Sequence, residues 1–170
     1  MAEFKDAKGD DWDVVINGAT IKRILDHLKV DLGRPLEAAG GSMPLLTRLD
    51  TEIALLVDVI YVVCLPQADQ REIEDVEFAE RLDGEALYAA HEALLEALTD
   101  FFQSRRRPET VRAIGIQRKT VARAVKLAEE TFASEEFAKA IDRKLKTLGK
   151  SFVNSLRSPE SSPSREPSGN

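Results

Sequence analysis

The residues able to do chemistry in this chain are few and far apart. It has two histidines, His27 and His91, and one cysteine, Cys64. The segment "HEALLE" from His91 begins like a zinc-protease helix, but the second histidine such a helix needs four residues on is missing. Neither histidine has another His or a Cys at ligand spacing, so both read as solvated side chains, not metal ligands. Cys64 lies in the apolar run "LVDVIYVVCLPQAD" (56–69) and reads as a small core residue. A lone cysteine makes no intrachain disulfide and suits a reducing cytosol. Asp58, in the same run, would need a second polar group to act as a catalytic carboxylate, and none is near; partial exposure or a basic partner is the simpler reading. No glycine-rich phosphate loop, paired histidines, Ser/His/Asp set or cysteine cluster is present. This pattern argues against an enzyme, and against a cofactor or metal, and puts function in a binding surface.

One stretch could contact nucleic acid. "ETVRAIGIQRKTVARAVKLAEE" (109–130) reads as a helix-turn-helix with Gly115 at the turn and Ile114 and Ile116 packed beside it. Its second helix would open at Thr120–Val125, and Arg118, Lys119, Arg123 and Lys126 could then meet phosphates or base edges. Against this, Val111 stands where such motifs usually place alanine, and the first helix is short. The plainer reading is a basic amphipathic helix.

The charge is unevenly placed. The net charge is −6, yet residues 1–103 carry −13 and residues 104–157 carry +8. Two halves of opposite sign face different things, or each other. At 43% hydrophobic and 32% charged the chain has the composition of a soluble globular protein. The start "MAEFKDAKGDDWDVV" shows no signal-peptide pattern. The run Ile53–Leu65 contains Asp58 and falls well short of the roughly 20 apolar residues needed to cross a bilayer, so no membrane is expected.

The elements follow from periodicity. "AEFKD" and "DWDVVI" flank "AKGD", where Gly9 can take the positive φ of a tight turn, and Trp12, Val14 and Ile16 share a face: a β-hairpin. Thr20 is the expected N-cap of a helix with Ile21, Ile24, Leu25 and Leu28 in stripe. A loop with Gly33, Pro35 and Gly40 follows. Asp50 is the expected cap of a buried central helix over 51–65, ended by Pro66. Asp75 should cap a short helix 76–82 and Asp83 a long one, 84–103. A fifth pattern carries Val111, Ile114, Val121, Val125 and Leu127. Ser134 should cap a last helix to Leu148, with Gly149 as its stop. The tail "SPESSPSREPSGN" should be disordered. The expected class is mainly α: an N-terminal β-hairpin and helical core domain (1–103), a basic helical extension (104–150) and a Ser/Pro-rich tail (151–170).

At "LVDVIYVVCLPQAD" and "FAERLDGEALYAAHEALLEALTDFF", and at its opening "FKDAKGDDWDVVINGATIKRILDHLKVDL", the chain resembles the tail assembly chaperones encoded in tail-gene clusters of tailed phages and prophages. The likeness covers about residues 3–105 and is a pattern of hydrophobic and small residues; past Arg107 it fades. The resemblance implies a host-cytoplasmic protein that binds the long helical tape-measure protein, keeps it soluble, and is absent from the finished particle. The tail tube protein is a second candidate partner, and association with a second copy of the chain stays open. The apolar residues left over from the helical stripes, Leu55, Leu65, Tyr88 and Phe101, are the candidate contacts, with packing on a second core face as the plainer reading.

Overall fold

The computed structural model describes residues 2–38 and 41–132, together with 139, 143, 144 and 146. The chain is mainly helical with an N-terminal antiparallel hairpin, β1 (Ala2–Lys5) and β2 (Asp11–Val14). Among the described residues six helices follow: α1 (Gly18–Leu28), α2 (Leu45–Thr51), α3 (Ile53–Gln70), α4 (Asp75–Glu80), α5 (Gly84–Ser104) and α6 (Pro108–Phe132). Met1–Val121 forms one compact unit and Ala122–Asn170 a second. The expected helix 134–148 and the tail 151–170 lie outside the described residues, save the four positions named.

The hairpin alternates as a strand pair with one wet face must. Ala2, Phe4, Trp12 and Val14 point inward, and their neighbours Glu3, Lys5, Asp11 and Asp13 are exposed. Gly9 takes φ +91 in the connecting loop. That loop is organised by Asp6. Its carboxylate accepts from the backbone N–H groups of Lys8 and Asp10 at 2.9 Å and from the Trp12 indole at 3.0 Å. Arg81, buried, closes the arrangement: its guanidinium lies 2.7 Å from Asp10 and from Glu77 and 3.5 Å from Asp6. The hairpin lies against α5 and α3. Trp12 meets Phe78 of α4 edge-on at 4.8 Å, and the Arg71 guanidinium covers the Trp12 ring at 4.2 Å.

The central helix differs from its sequence expectation at both ends. Asp50 does not cap it; that residue lies inside α2, and α3 starts at Ile53 after Glu52 breaks the helical path. Nor does Pro66 end it: α3 runs on to Gln70. A helix-interior proline strands the carbonyl four residues back. Here that carbonyl, on Val62, accepts a 2.9 Å hydrogen bond from the Arg23 guanidinium of α1. The stop comes from Glu72, at φ +57. The Ile73 N–H bonds Ala68 O and the Glu72 N–H bonds Asp69 O, the paired pattern of a Schellman ending.

By length and composition α3 could cross a membrane, at 18 residues and mean hydropathy 1.5. Its apolar residues are instead used by the protein's own core. Leu56, Val59, Ile60, Val62, Val63, Cys64 and Ala68 are buried, and α1, α2, α4, α5 and β2 pack around it. Cys64 is fully enclosed, and burial pushes its thiol up to about 12. Asp58 is exposed.

Three further boundaries shift. Asn17, not Thr20, caps α1: its side chain accepts from the Thr20 N–H at 3.0 Å, while the Thr20 hydroxyl turns back to Val15 O. Glu74 is the N-cap residue of α4, which starts at Asp75. Asp83 caps α5 as expected, accepting from the Glu85 and Ala86 N–H groups. The helix-turn-helix reading of 109–130 is overturned, because α6 is one continuous helix through Gly115. The turn lies earlier, at Arg106 (φ +56), where the Arg106 and Arg107 N–H groups bond Gln103 O and Phe102 O. Pro108 then opens α6, its missing N–H costing nothing at a first helical position.

Candidate functional site

Between α2 with its leading loop and the first half of α6 lies an open trough of about 490 Å³. Leu36, Pro44 and Leu46 form one wall, and Ala113, Ile116 and Val121 the other. Ile116 is 60% exposed and Leu36 38%. Large apolar side chains left facing solvent across a concave surface are what an apolar partner segment would cover.

The trough exists because α6 is anchored by its opposite stripe. Ile114 is fully buried and Thr110 nearly so, with Val111 packed against the core. Polar contacts finish the anchorage. The Gln117 amide donates to Leu46 O at 3.2 Å and to the Asp50 carboxylate. The Arg118 guanidinium holds Glu92 of α5 at 2.8 Å. Asp50 also approaches His91 of α5, Oδ1 to Nε2 at 3.3 Å, but the pair is not aligned as a hydrogen bond, and neither atom has another partner among the described residues. Burial lowers the His91 pKa, against the opposing pull of Asp50 and Glu92.

His91 is thus no solvated side chain, which corrects the sequence expectation; it is 7% exposed. His27 is exposed as expected. The Asp50–His91–Gln117 grouping had no local signal. It joins three helices across 41 and 67 residues of sequence, and Asp50 by itself reads as a helix cap.

The four candidate contacts are dispersed. Leu55 and Leu65 are half-buried on α3, about 15 Å apart along the axis. Tyr88 is 47% exposed on α5. Phe101, about 20 Å further along that helix, is half-buried edge-on to Phe102 at 5.2 Å. None of the four lines the trough. Of the four basic candidates, Arg118 is taken by Glu92, while Lys119, Arg123 and Lys126 are exposed on α6, Lys126 being 3.9 Å from Glu130. Arg118 therefore does not share a surface role with the other three. What the trough can do chemically is bind: apolar walls, a few amide and carboxylate groups at its base, and no cluster of metal-ligating side chains among the described residues. No protein-family model matches the chain, and neither the curated proteins nor the solved structures provide a match.

Proposed function

We propose that the protein is a non-enzymatic assembly chaperone of the phage-tail type, which holds an amphipathic helical segment of a tape-measure protein in the α2/α6 trough and keeps it soluble until the tail tube replaces it. The trough carries this reading. It is an open apolar channel between two helices, the surface into which a partner helix lays its own apolar face. Ile116 and Leu36 would meet residues spaced i, i+3 and i+4 on the partner. The net negative charge of residues 1–103 would act on the encounter with a partner more than on the affinity of the complex. The same reading places the protein in the host cytoplasm, with no membrane and no cofactor.

The test is co-expression with the tape-measure protein encoded beside it, scored by the soluble fraction of that partner. Ile116→Glu with Leu36→Glu should return the partner to the insoluble fraction while the variant itself stays folded, since both side chains already face solvent. Full solubilisation by the double variant refutes the trough as the site. A wild-type protein that leaves the partner insoluble, yet binds duplex DNA with a steep salt dependence, refutes the function.

A further inference from the structure

A second concavity lies at the far end of α5. It encloses about 250 Å³ between Gly18 and Ile21 of α1, Gly33, and Phe101 and Phe102 of α5, with Arg105 and Arg107 at its mouth. The floor is aromatic and aliphatic, and the rim is cationic. Arg105 lies over the Phe101 ring at 5.7 Å and has no carboxylate partner among the described residues. Arg107 has only Glu109, at 3.8 Å, and both of those side chains are more than half exposed. Most other cations of this unit that make ion pairs are matched more closely: Lys5 to Asp11, Arg48 to Glu52, Arg81 to Asp10 and Glu77, Arg118 to Glu92.

The complementary surface is on the same chain. Val76, in the first turn of α4, is 66% exposed, the largest exposure among the large apolar side chains of the described residues. Glu74 and Asp75 precede it, and Glu80 follows one helical turn on, on the same face. All three carboxylates are exposed, and none has a cationic partner among the described residues. The chain therefore carries an apolar knob ringed by unpaired acid and, elsewhere on its surface, an apolar hole rimmed by unpaired Arg105 and loosely paired Arg107. One molecule cannot join its own two. α4 ends just before the start of α5, and the hole lies at the end of α5, 21 residues and about 31 Å away.

We propose that the α1/α5 hole takes Val76 of a second copy of this chain, with that copy's Glu74, Asp75 and Glu80 against Arg105 and Arg107, in a head-to-tail contact. Knob and hole lie on different faces, so the contact is heterologous and each copy of a pair keeps one of the two free. It is small, rimmed by exposed charge, and so weak and sensitive to salt. It does not use the trough, and its failure leaves the proposed function standing.

Sedimentation velocity on the full chain over a concentration series tests it. The average mass should rise with concentration in about 0.1 M salt and fall back in about 1 M, where the screening length drops from about 10 to about 3 Å. Val76→Asp should weaken association about tenfold or more. Arg105→Glu/Arg107→Glu and Glu74→Lys/Glu80→Lys should each stay monomeric alone. Mixed one to one they should associate again, because each supplies the sign the other lacks. All these positions are exposed, and circular dichroism checks the fold of each variant. A wild type that is monomeric throughout overturns the proposal, as does association indifferent to the reversals or a mixture that regains nothing. Loss of binding to a single-stranded oligonucleotide in Arg105→Glu/Arg107→Glu, without any self-association of the wild type, assigns the hole to nucleic acid and overturns it equally.

Discussion

Replacing Ile114 with alanine removes the large apolar side chain of α6 that is wholly shielded from water. Three buried carbons at about 0.8 kcal/mol each, with a residual cavity, make the loss about 3 kcal/mol. What then still holds the first half of α6 is of similar size. Gln117 bonds Leu46 O and a carboxylate, the second worth about 1.5–3 kcal/mol. Arg118–Glu92, roughly a third exposed on both sides, adds about 0.5 kcal/mol. Ile114 is the one described residue of α6 among the buried core members; the hairpin, α1–α5 and their connecting loops supply the others around α3. The expected outcome is therefore local. Amide protection over 110–121 should fall about a hundredfold, the equivalent of 3 kcal/mol at about 1.4 per decade, while the amides of Val59 and Leu94 hold theirs. Native-state hydrogen exchange reads both at once. Leu94→Ala is the control: Leu94 is equally buried but lies in α5, so it should cost a similar free energy everywhere and lower Tm by about 10 °C. Equal loss of protection in α3, α5 and α6 on Ile114→Ala would show that α6 is an integral part of the fold. That result would refute the reasoning that the first half of α6 is held as a separately opening element.

Two other outcomes follow from named contacts. Asp6 is nearly inaccessible, and although burial alone would raise its pKa, the bonds from Trp12, from the Asp10 and Lys8 N–H groups and from Arg81 hold it below the ordinary 3.8. A folded-state pKa below the unfolded one gives stability that is whole above the unfolded value and is lost as pH falls from about 4 through the folded value. Asp6→Asn should flatten that acid limb in urea titrations, and Asp6→Ala, which strands Arg81 and the indole N–H, should cost about 3–5 kcal/mol at neutral pH. Gly115 has no positive φ and open space where a Cβ would go. Gly115→Ala should thus stabilise α6 by about 0.5–1 kcal/mol, seen as higher protection over 110–121, whereas a turn at this position would make the same change destabilising.

The residues that were legible in sequence are those whose reason is local. Gly9 between two alternating runs, Asp83 ahead of a long apolar stripe and Cys64 inside a hydrophobic stretch each carry their explanation within a few residues, and each is placed as expected. The larger departures have causes that lie outside their own local window. Pro66 is a stop signal by every local rule, and α3 passes through it because Arg23, 43 positions earlier, supplies the donor that the Val62 carbonyl lost. Gly115 is a turn signal in isolation, and the helix continues because the turn is made at Arg106 instead, a residue with no preference for positive φ that the Schellman bonds hold there. His91 looks solvated until α2 folds Asp50 against it. The trough belongs to this second kind. Its walls are Leu36, Pro44 and Leu46 on one side and Ala113, Ile116 and Val121 on the other, its sides meet only because Ile114 and Gln117 dock, and neither wall has an apolar run that stands out alone. Apolar residues left over on a single helix carry little signal for such a surface, because a concave site is made by the gap between two elements, and the residues that line it are those each helix leaves on the shoulder of its buried stripe.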